Sequence, residues 1–152
     1  MIRNARRFAA AAAGALITAS LLVAAPASAA TCSGHGCDGL DPIETGCSAD
    51  ASNATTYPKY IVQGSTTLAV VELRWSAACK TNWGRISNRV SPSNTVQVHV
   101  YRSNPYGTTD WYGGTGRQYY GDQLYGHNMS VCAVGKVTTA SGTVLTSDPL
   151  CA

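Results

Sequence analysis

Six cysteines constrain this chain more than any other feature, because all of them follow a segment with the pattern of a secretory signal. They are Cys32, Cys37, Cys47, Cys79, Cys132 and Cys151. An even number of cysteines in a small exported chain predicts disulfides rather than free thiols. A metal site would need closely spaced pairs of cysteine or histidine, and the closest two cysteines have four residues between them with no second pair like it. We therefore expect three disulfides, no metal and no cofactor.

Residues 1–29 have the organisation of a signal peptide. A basic start is followed by an uncharged stretch rich in alanine and leucine, Phe8 to Ala25, and then by Pro26 and a cleavage site at Ala27-Ser28-Ala29. An uncleaved membrane anchor is the alternative, because spanning a bilayer takes on the order of 20 apolar residues. The weak hydrophobicity of alanine favours the signal peptide. We expect residues 30–152 to form a single mature β-rich domain of a secreted, extracellular protein with no further membrane segment.

The charge of the mature chain is balanced. The full sequence has 11 Lys and Arg against 8 Asp and Glu, and three of the arginines belong to the signal segment. The remaining 8 positive and 8 negative charges cancel. A nucleic-acid-binding protein needs a basic surface to neutralise phosphates. We therefore expect no nucleic-acid partner.

One disulfide follows from the register of a predicted hairpin. Ser141-Gly142 separates two runs of β-forming residues, 137–140 and 143–146, and predicts a two-residue turn. The numbers of two residues that face each other in this hairpin would then add up to 283, as those of Cys132 and Cys151 do. The two cysteines would therefore lie opposite each other, with their Cα atoms about 5 Å apart. Cys32–Cys37 would close a small glycine-containing loop. That leaves Cys47–Cys79 to tie the N-terminal loop to the strands.

The remaining pattern is that of β-strands. Residues 69–75 and 95–102 alternate apolar and polar side chains with a period of two, which is typical of half-buried strands. Asp41-Pro42-Ile43-Glu44 has the pattern of a short capped helical turn. Residues 106–126 are rich in tyrosine and glycine with little period, which favours a loop. We predict an all-β fold, a small antiparallel β-barrel or sandwich with short helical turns, stabilised by disulfides.

Three stretches of sequence together resemble a known family. They are Cys37-Asp38-Gly39-Leu40-Asp41-Pro42 with Thr45-Gly46-Cys47, then Val71-Glu72-Leu73-Arg74-Trp75-Ser76 with Cys79, and then Trp83. This combination is similar to the bacterial family known as domain of unknown function 2690, and the similarity covers residues 37–86 best. Members are typically small secreted proteins of Gram-positive bacteria. The family has no established activity, so the resemblance implies export and the fold and leaves the function open.

A dense group of aromatic residues supplies the candidate ligand-binding surface. The group comprises Tyr106, Trp111, Tyr112, Tyr119, Tyr120 and Tyr125. Tyrosine and tryptophan offer flat apolar faces with polar tips, which suit sugar rings or a protein partner. The alternative is a loop that packs these rings over one end of the sheet as core. We predict a non-enzymatic binding protein whose partner is an extracellular glycan, a cell-wall polymer or a protein surface.

Glu72 and Arg74 point the same way on one strand and suggest two other functions. Together with His99 or His127 they could form the acid/base set of a small secreted hydrolase or nuclease. We favour a structural charge pair in which the two bond each other or a neighbouring strand or loop. A third possibility is an inhibitor of a secreted enzyme, which would present a rigid loop braced by disulfides.

Overall fold

A computed structural model describes residues 29–152, so the proposed signal peptide lies outside the described residues apart from its last position. The described part contains eleven β-strands and two short 3-10 helices, Gly34–Cys37 and Cys47–Asp50. The strands are β1 (Ser52–Asn53), β2 (Lys59–Gln63), β3 (Thr66–Ser76), β4 (Thr81–Asn88), β5 (Thr95–Ser103), β6 (Tyr106–Thr108), β7 (Tyr112–Thr115), β8 (Gln118–Tyr125), β9 (Val131–Thr138), β10 (Val144–Thr146) and β11 (Leu150–Cys151). Between residues 29 and 152 there is no helix of the length and hydrophobicity needed to cross a membrane.

The strands form two antiparallel sheets. Sheet A has the order β1-β3-β4-β8, with β2 also paired to β3. Sheet B has the order β10-β9-β5-β6, with β11 on β9 and β7 on β5. The all-β prediction is therefore confirmed, and within the described residues the two sheets stay separate rather than closing into a barrel.

One hydrophobic core lies between the sheets. Alternate residues of β3 and β5 point into it because successive side chains of a strand face opposite sides. Val71 and Leu73 of β3 and Val98 of β5 are fully buried in one cluster, together with residues of β4 and β9. Gly135 of β9 lies at a close approach of the two sheets, since a Cβ there would come within 2.3 Å of a Val71 methyl group.

The last hairpin differs from the predicted turn by one residue. Next to the turn, Thr139 donates its backbone N–H to the Thr143 carbonyl (2.9 Å), so the loop has three residues rather than two. Gly142 takes the left-handed conformation that such loops require (φ 86°). An extra residue at Asp148-Pro149 then shifts the register back, because proline has no N–H to donate to a ladder. Cys132 consequently faces Cys151, as the sequence analysis expected.

Residues 106–126 do not form a loop, and this prediction is wrong. They contribute β6 and β7 to sheet B and β8 to sheet A. Apolar and polar residues do not alternate here, because glycines occupy the positions where the backbone closely approaches a neighbouring strand. A Cβ on Gly113 would come within 1.9 Å of a β5 carbonyl oxygen. In β8 a register shift opposite Trp83 and Arg85 breaks the period of two.

Three disulfides fasten this framework: Cys32–Cys37, Cys47–Cys79 and Cys132–Cys151. These are the pairs expected from loop closure and hairpin register. The first two lie side by side, with the Sγ atoms of Cys32 and Cys47 3.7 Å apart, and their four sulfur atoms all lie within 4.8 Å of one another. They hold the N-terminal segment against the side of sheet A that faces away from the core.

Candidate ligand-binding surfaces

The outer face of sheet B carries a row of rings. The outward-facing residues of β5 include His99 and Tyr101, whose rings stack with centroids 6.0 Å apart. The Trp111 ring lies 4.2 Å from that of His99, and the Lys136 Nζ atom lies 4.4 Å from the centre of the Trp111 ring. We call His99, Tyr101, Trp111 and Lys136 the Trp111 platform.

Local backbone contacts place Trp111 on this face. Thr109, two residues earlier, donates its backbone N–H to the Val100 carbonyl (2.9 Å), and its hydroxyl accepts a hydrogen bond from the Val100 N–H (3.1 Å). The chain is therefore fastened to β5 immediately before the tryptophan. The contact with the tilted His99 ring and the cation above the indole then hold the side chain in place, while 37% of the residue stays exposed.

The charge of the Trp111 platform comes from its lysine. Burial lowers the pKa of His99, and the neighbouring Lys136 charge lowers it further. His99 is therefore neutral at neutral pH and serves as a flat ring rather than a second cation. A row of fixed rings with one positive charge suits a ligand with flat apolar faces and hydroxyl groups.

The six aromatic residues singled out from the sequence do not form one surface. Tyr119, Tyr120 and Tyr125 belong to β8 in sheet A, whereas the other three lie in or beside the strands of sheet B. Tyr119 packs against the core and donates its hydroxyl to the Thr115 carbonyl (2.6 Å). The Tyr125 ring lies 4.4 Å from His35. Tyr106 and Tyr112 are exposed.

Sequence reasoning missed His99 and Tyr101 as neighbours of Trp111. Their outward position was readable from the period of two in β5. What the sequence does not reveal is that residues 106–115 return to β5, because that pairing is set by the glycines of β7 rather than by an apolar pattern.

Glu72 and Arg74 do not pair with each other, which corrects that part of the charge-pair prediction. The two oxygens of Glu72 accept hydrogen bonds from Nε and Nη2 of Arg85, each at 2.6 Å. Arg85 lies directly opposite Glu72 on β4, and opposite residues are closer than residues two apart on one strand. These hydrogen bonds raise the pKa of Arg85.

Arg74 is bonded instead to the segment before β1 and to β1 itself. Its Nη2 donates to the Ala51 carbonyl (3.1 Å) and its Nη1 to the Asn53 side-chain oxygen. Both acceptors are neutral. Both Glu72 and Arg74 are therefore bonded to a neighbouring strand or loop, which was the second form of the charge-pair prediction.

No described histidine hydrogen-bonds to Glu72 or Arg74. His99 faces outward from sheet B, whereas Glu72 faces outward from sheet A, and the core lies between them. His127 is exposed in the turn after β8. The set that uses His99 is thus divided between opposite sides of the molecule, and His127 makes no hydrogen bond to either residue of the pair.

A cleft of about 330 Å³ lies on the outer face of sheet A. Its floor consists of Arg74, Trp83, Arg85 and Tyr120, on three neighbouring strands. Its rim includes Ile43, Ser48 and Ala51 from the N-terminal segment. We call it the Arg74 cleft.

Comparison with known proteins gives one match. Residues 35–140, well over half of the chain, match the model of the family described as "Protein of unknown function (DUF2690)". The resemblance found in the sequence motifs is confirmed by this match. No curated protein and no solved structure matches the chain.

Proposed function

We propose that this chain, which belongs to the DUF2690 family, is an exported, non-enzymatic binding protein that recognises an extracellular polysaccharide of the cell-wall type. The observation that carries the proposal is the Trp111 platform. Its tryptophan is held by the tilted His99 ring and by a cation, yet more than a third of the residue faces solvent.

A fixed exposed ring favours binding because little conformational entropy is lost when the ligand arrives. Tyrosine and tryptophan also need few rotamers to be ordered, and they are enriched among the residues that dominate binding energy. The rings of Trp111, His99 and Tyr101 follow one another across the sheet. Such a row matches successive sugar rings of an extended chain better than a single small molecule.

The arrangement of charged groups supports a non-catalytic role. A general acid or base needs a carboxylate or histidine that is free to exchange a proton with the substrate. Both oxygens of Glu72 are engaged by Arg85, and the platform's histidine lies on the other sheet.

Export is supported by the signal-like segment and by the cysteines. Disulfides persist in oxidising compartments and are rare in the reducing cytosol. All six cysteines are bonded in pairs, and none is free. A neutral mature chain with stable cross-links suits a protein that works outside the cell.

Retention on insoluble cell-wall polysaccharide tests the proposal. The mature protein should sediment with purified wall material, and Trp111→Ala should weaken binding by about 2 kcal/mol, the loss typical of a central aromatic contact. Tyr57→Ala is the matched control, since Tyr57 is 78% exposed and lies outside the Trp111 platform. We expect that control to bind like the wild type.

Three results would contradict the proposal. Equal retention of Trp111→Ala and Tyr57→Ala would remove the platform as the binding surface. Release of soluble fragments from the wall, abolished by Glu72→Gln in a variant that stays folded, would favour the hydrolase hypothesis. If the protein captured a single protein instead of polysaccharide, the Trp111 platform would be a protein-binding surface.

A further inference from the structure

We infer that the Arg74 cleft binds the carboxylate of a small organic acid. This site lies on sheet A, away from the Trp111 platform, and does not depend on the proposed function. It rests on an uncompensated cation, an unpartnered buried donor and a preformed cavity.

The first observation is the charge of Arg74. Among residues 29–152 it forms no ion pair with a carboxylate, and its two hydrogen-bond acceptors, Ala51 and Asn53, are neutral. Glu72 cannot supply the missing charge because both of its oxygens are taken by Arg85. The floor of the cleft therefore has a net charge of one positive unit. Burial lowers the pKa of Arg74 and the Arg85 charge lowers it further, and together they outweigh the opposite effects of Glu72 and Tyr120.

The second observation is the indole of Trp83. Trp83 stands directly opposite Arg74 on β4, is 1% exposed, and lines the cleft. Its Nε1–H is the single buried side-chain polar group of the described residues without a hydrogen-bond partner. A buried donor left unpaired is costly and rare in folded proteins. Because this nitrogen is buried, an acceptor atom of a ligand would satisfy it only after the side chains that line the cleft have moved aside.

The third observation is the shape and lining of the site. A volume of about 330 Å³ is at the small end of ligand pockets, which suits a single amino-acid- or sugar-sized molecule. Ile43 and the rings of Trp83 and Tyr120 give apolar walls beside the guanidinium groups. Arginine presents parallel N–H groups that match the two oxygens of a carboxylate. One net positive charge matches one carboxylate, whereas a phosphate dianion would leave excess negative charge.

Two extracellular sources offer such a carboxylate, the end of a peptide and an acidic sugar. N-acetyl-L-alanine and glucuronate represent them as probes, and N-acetyl-L-alanine amide and glucose are their neutral counterparts. The mature protein labelled with ¹⁵N gives one indole N–H signal for each of Trp75, Trp83 and Trp111. We expect the Trp83 signal to move saturably with at least one carboxylate, and about tenfold weaker binding or none with its neutral counterpart.

Variants of Arg74 complete the test. Arg74→Gln should abolish the carboxylate-dependent shift, and Arg74→Lys should retain a weaker one because the charge stays while the parallel donors are lost. Arg89→Gln is the matched control, an exposed arginine outside the cleft. Unchanged signals of Trp75 and Trp111 report that each variant is folded.

Three results with the carboxylate probes overturn the inference. They are no Trp83 shift with either carboxylate, an equal shift with the neutral counterparts, or an unchanged affinity in folded Arg74→Gln. If Arg74→Gln does not fold, the wild-type protein alone tests the inference, through the comparison of each carboxylate with its neutral counterpart. Tighter binding of inorganic phosphate than of both carboxylates would also reject it. Wall binding through the Trp111 platform is unaffected by any of these outcomes.

Discussion

Arg102 and Asp38 form a two-pronged ion pair across 64 residues of sequence, with Nη1 to Oδ1 at 3.0 Å and Nη2 to Oδ2 at 2.7 Å. Asp38 also accepts the backbone N–H of Tyr125, and Arg102 donates its Nε to the Pro105 carbonyl (3.0 Å). One ion pair therefore joins the N-terminal disulfide loop, the end of β8 in sheet A and the turn after β5 in sheet B. Arg102 is only 5% exposed, so this carboxylate supplies the counter-charge that a buried guanidinium needs.

Removal of the arginine should be strongly destabilising. Arg102→Met leaves Asp38 without its main counter-ion, and breaking a buried pair on one side costs about 3 kcal/mol or more. The free energy of unfolding from urea titration measures this cost. Arg89→Met, on an exposed arginine, is the control and should change it by less than about 0.5 kcal/mol. Equal stability of the two variants would show that the ion pair does not hold the loop to the sheets.

Acid should weaken the same connection. Burial alone would raise the pKa of Asp38, but hydrogen bonds from Arg102, the Tyr125 backbone and His35 outweigh it and lower the pKa below 3.8. A carboxyl whose pKa is lower in the folded than in the unfolded chain contributes stability above the unfolded value, and this is lost as the pH falls through the folded value. Asp122 acts in the opposite sense, since burial and then the charges of Asp41, Asp110 and Glu44 raise its pKa.

The unfolding free energy of wild type and Asp38→Asn, measured from neutral pH down into the acid range, checks this prediction. The wild type should exceed the variant at neutral pH, and the difference should begin to shrink as the pH approaches 3.8 and continue to shrink below it. A difference that stays the same at every pH would mean that the contribution of Asp38 does not arise from its charge.

The sequence predicted the parts of this fold that depend on local pattern. Alternation in β5 places Val96, Val98 and Val100 in the core, as predicted. Cys132 and Cys151 also meet as predicted, but only because the extra residue at Asp148-Pro149 offsets the longer turn. The pairing of Glu72 with Arg85 was not accessible, because it depends on which strand lies beside β3. The Trp111 platform was missed for the same reason, since Trp111 and His99 meet only through the pairing of β7 with β5. The alternation of apolar and polar residues shows which face of a strand is buried, but not which strand pairs with it.

The Cys132–Cys151 bridge should stabilise the chain by restricting the unfolded state. It spans a sequence separation of 19, for which loop-closure entropy predicts about 3 kcal/mol. Replacing both cysteines by serine should lower the free energy of unfolding by that amount, measured by urea titration under non-reducing conditions. The native pairing of β11 would persist, because Val131 and Ala152 exchange two backbone hydrogen bonds. Unchanged stability would show that the bridge does not stabilise the chain through loop closure.

The close approach of the two sheets at Gly135 gives a steric prediction. A Cβ at this position would lie 2.3 Å from Val71 Cγ2 and 3.1 Å from Ile86 Cδ1. The backbone cannot easily withdraw, because the Gly135 N–H donates to the Ser147 hydroxyl and its carbonyl accepts from the Ser147 N–H. Gly135→Ala should therefore lower the free energy of unfolding by about 1–3 kcal/mol, the usual cost of overpacking a core.

Two further variants separate this steric effect from the general effect of replacing glycine. Gly36→Ala is the control, because nothing lies within 4 Å of its Cβ position and its φ is not left-handed, so its stability should be unchanged or slightly raised. Val71→Ala removes the methyl group that a Cβ on Gly135 would meet. The double variant Gly135→Ala with Val71→Ala should therefore lose less stability than the two single losses added together. Strictly additive losses would show that the cost does not arise from contact with Val71. A Gly135→Ala variant as stable as Gly36→Ala would show that the sheets can separate to admit a methyl group at no cost.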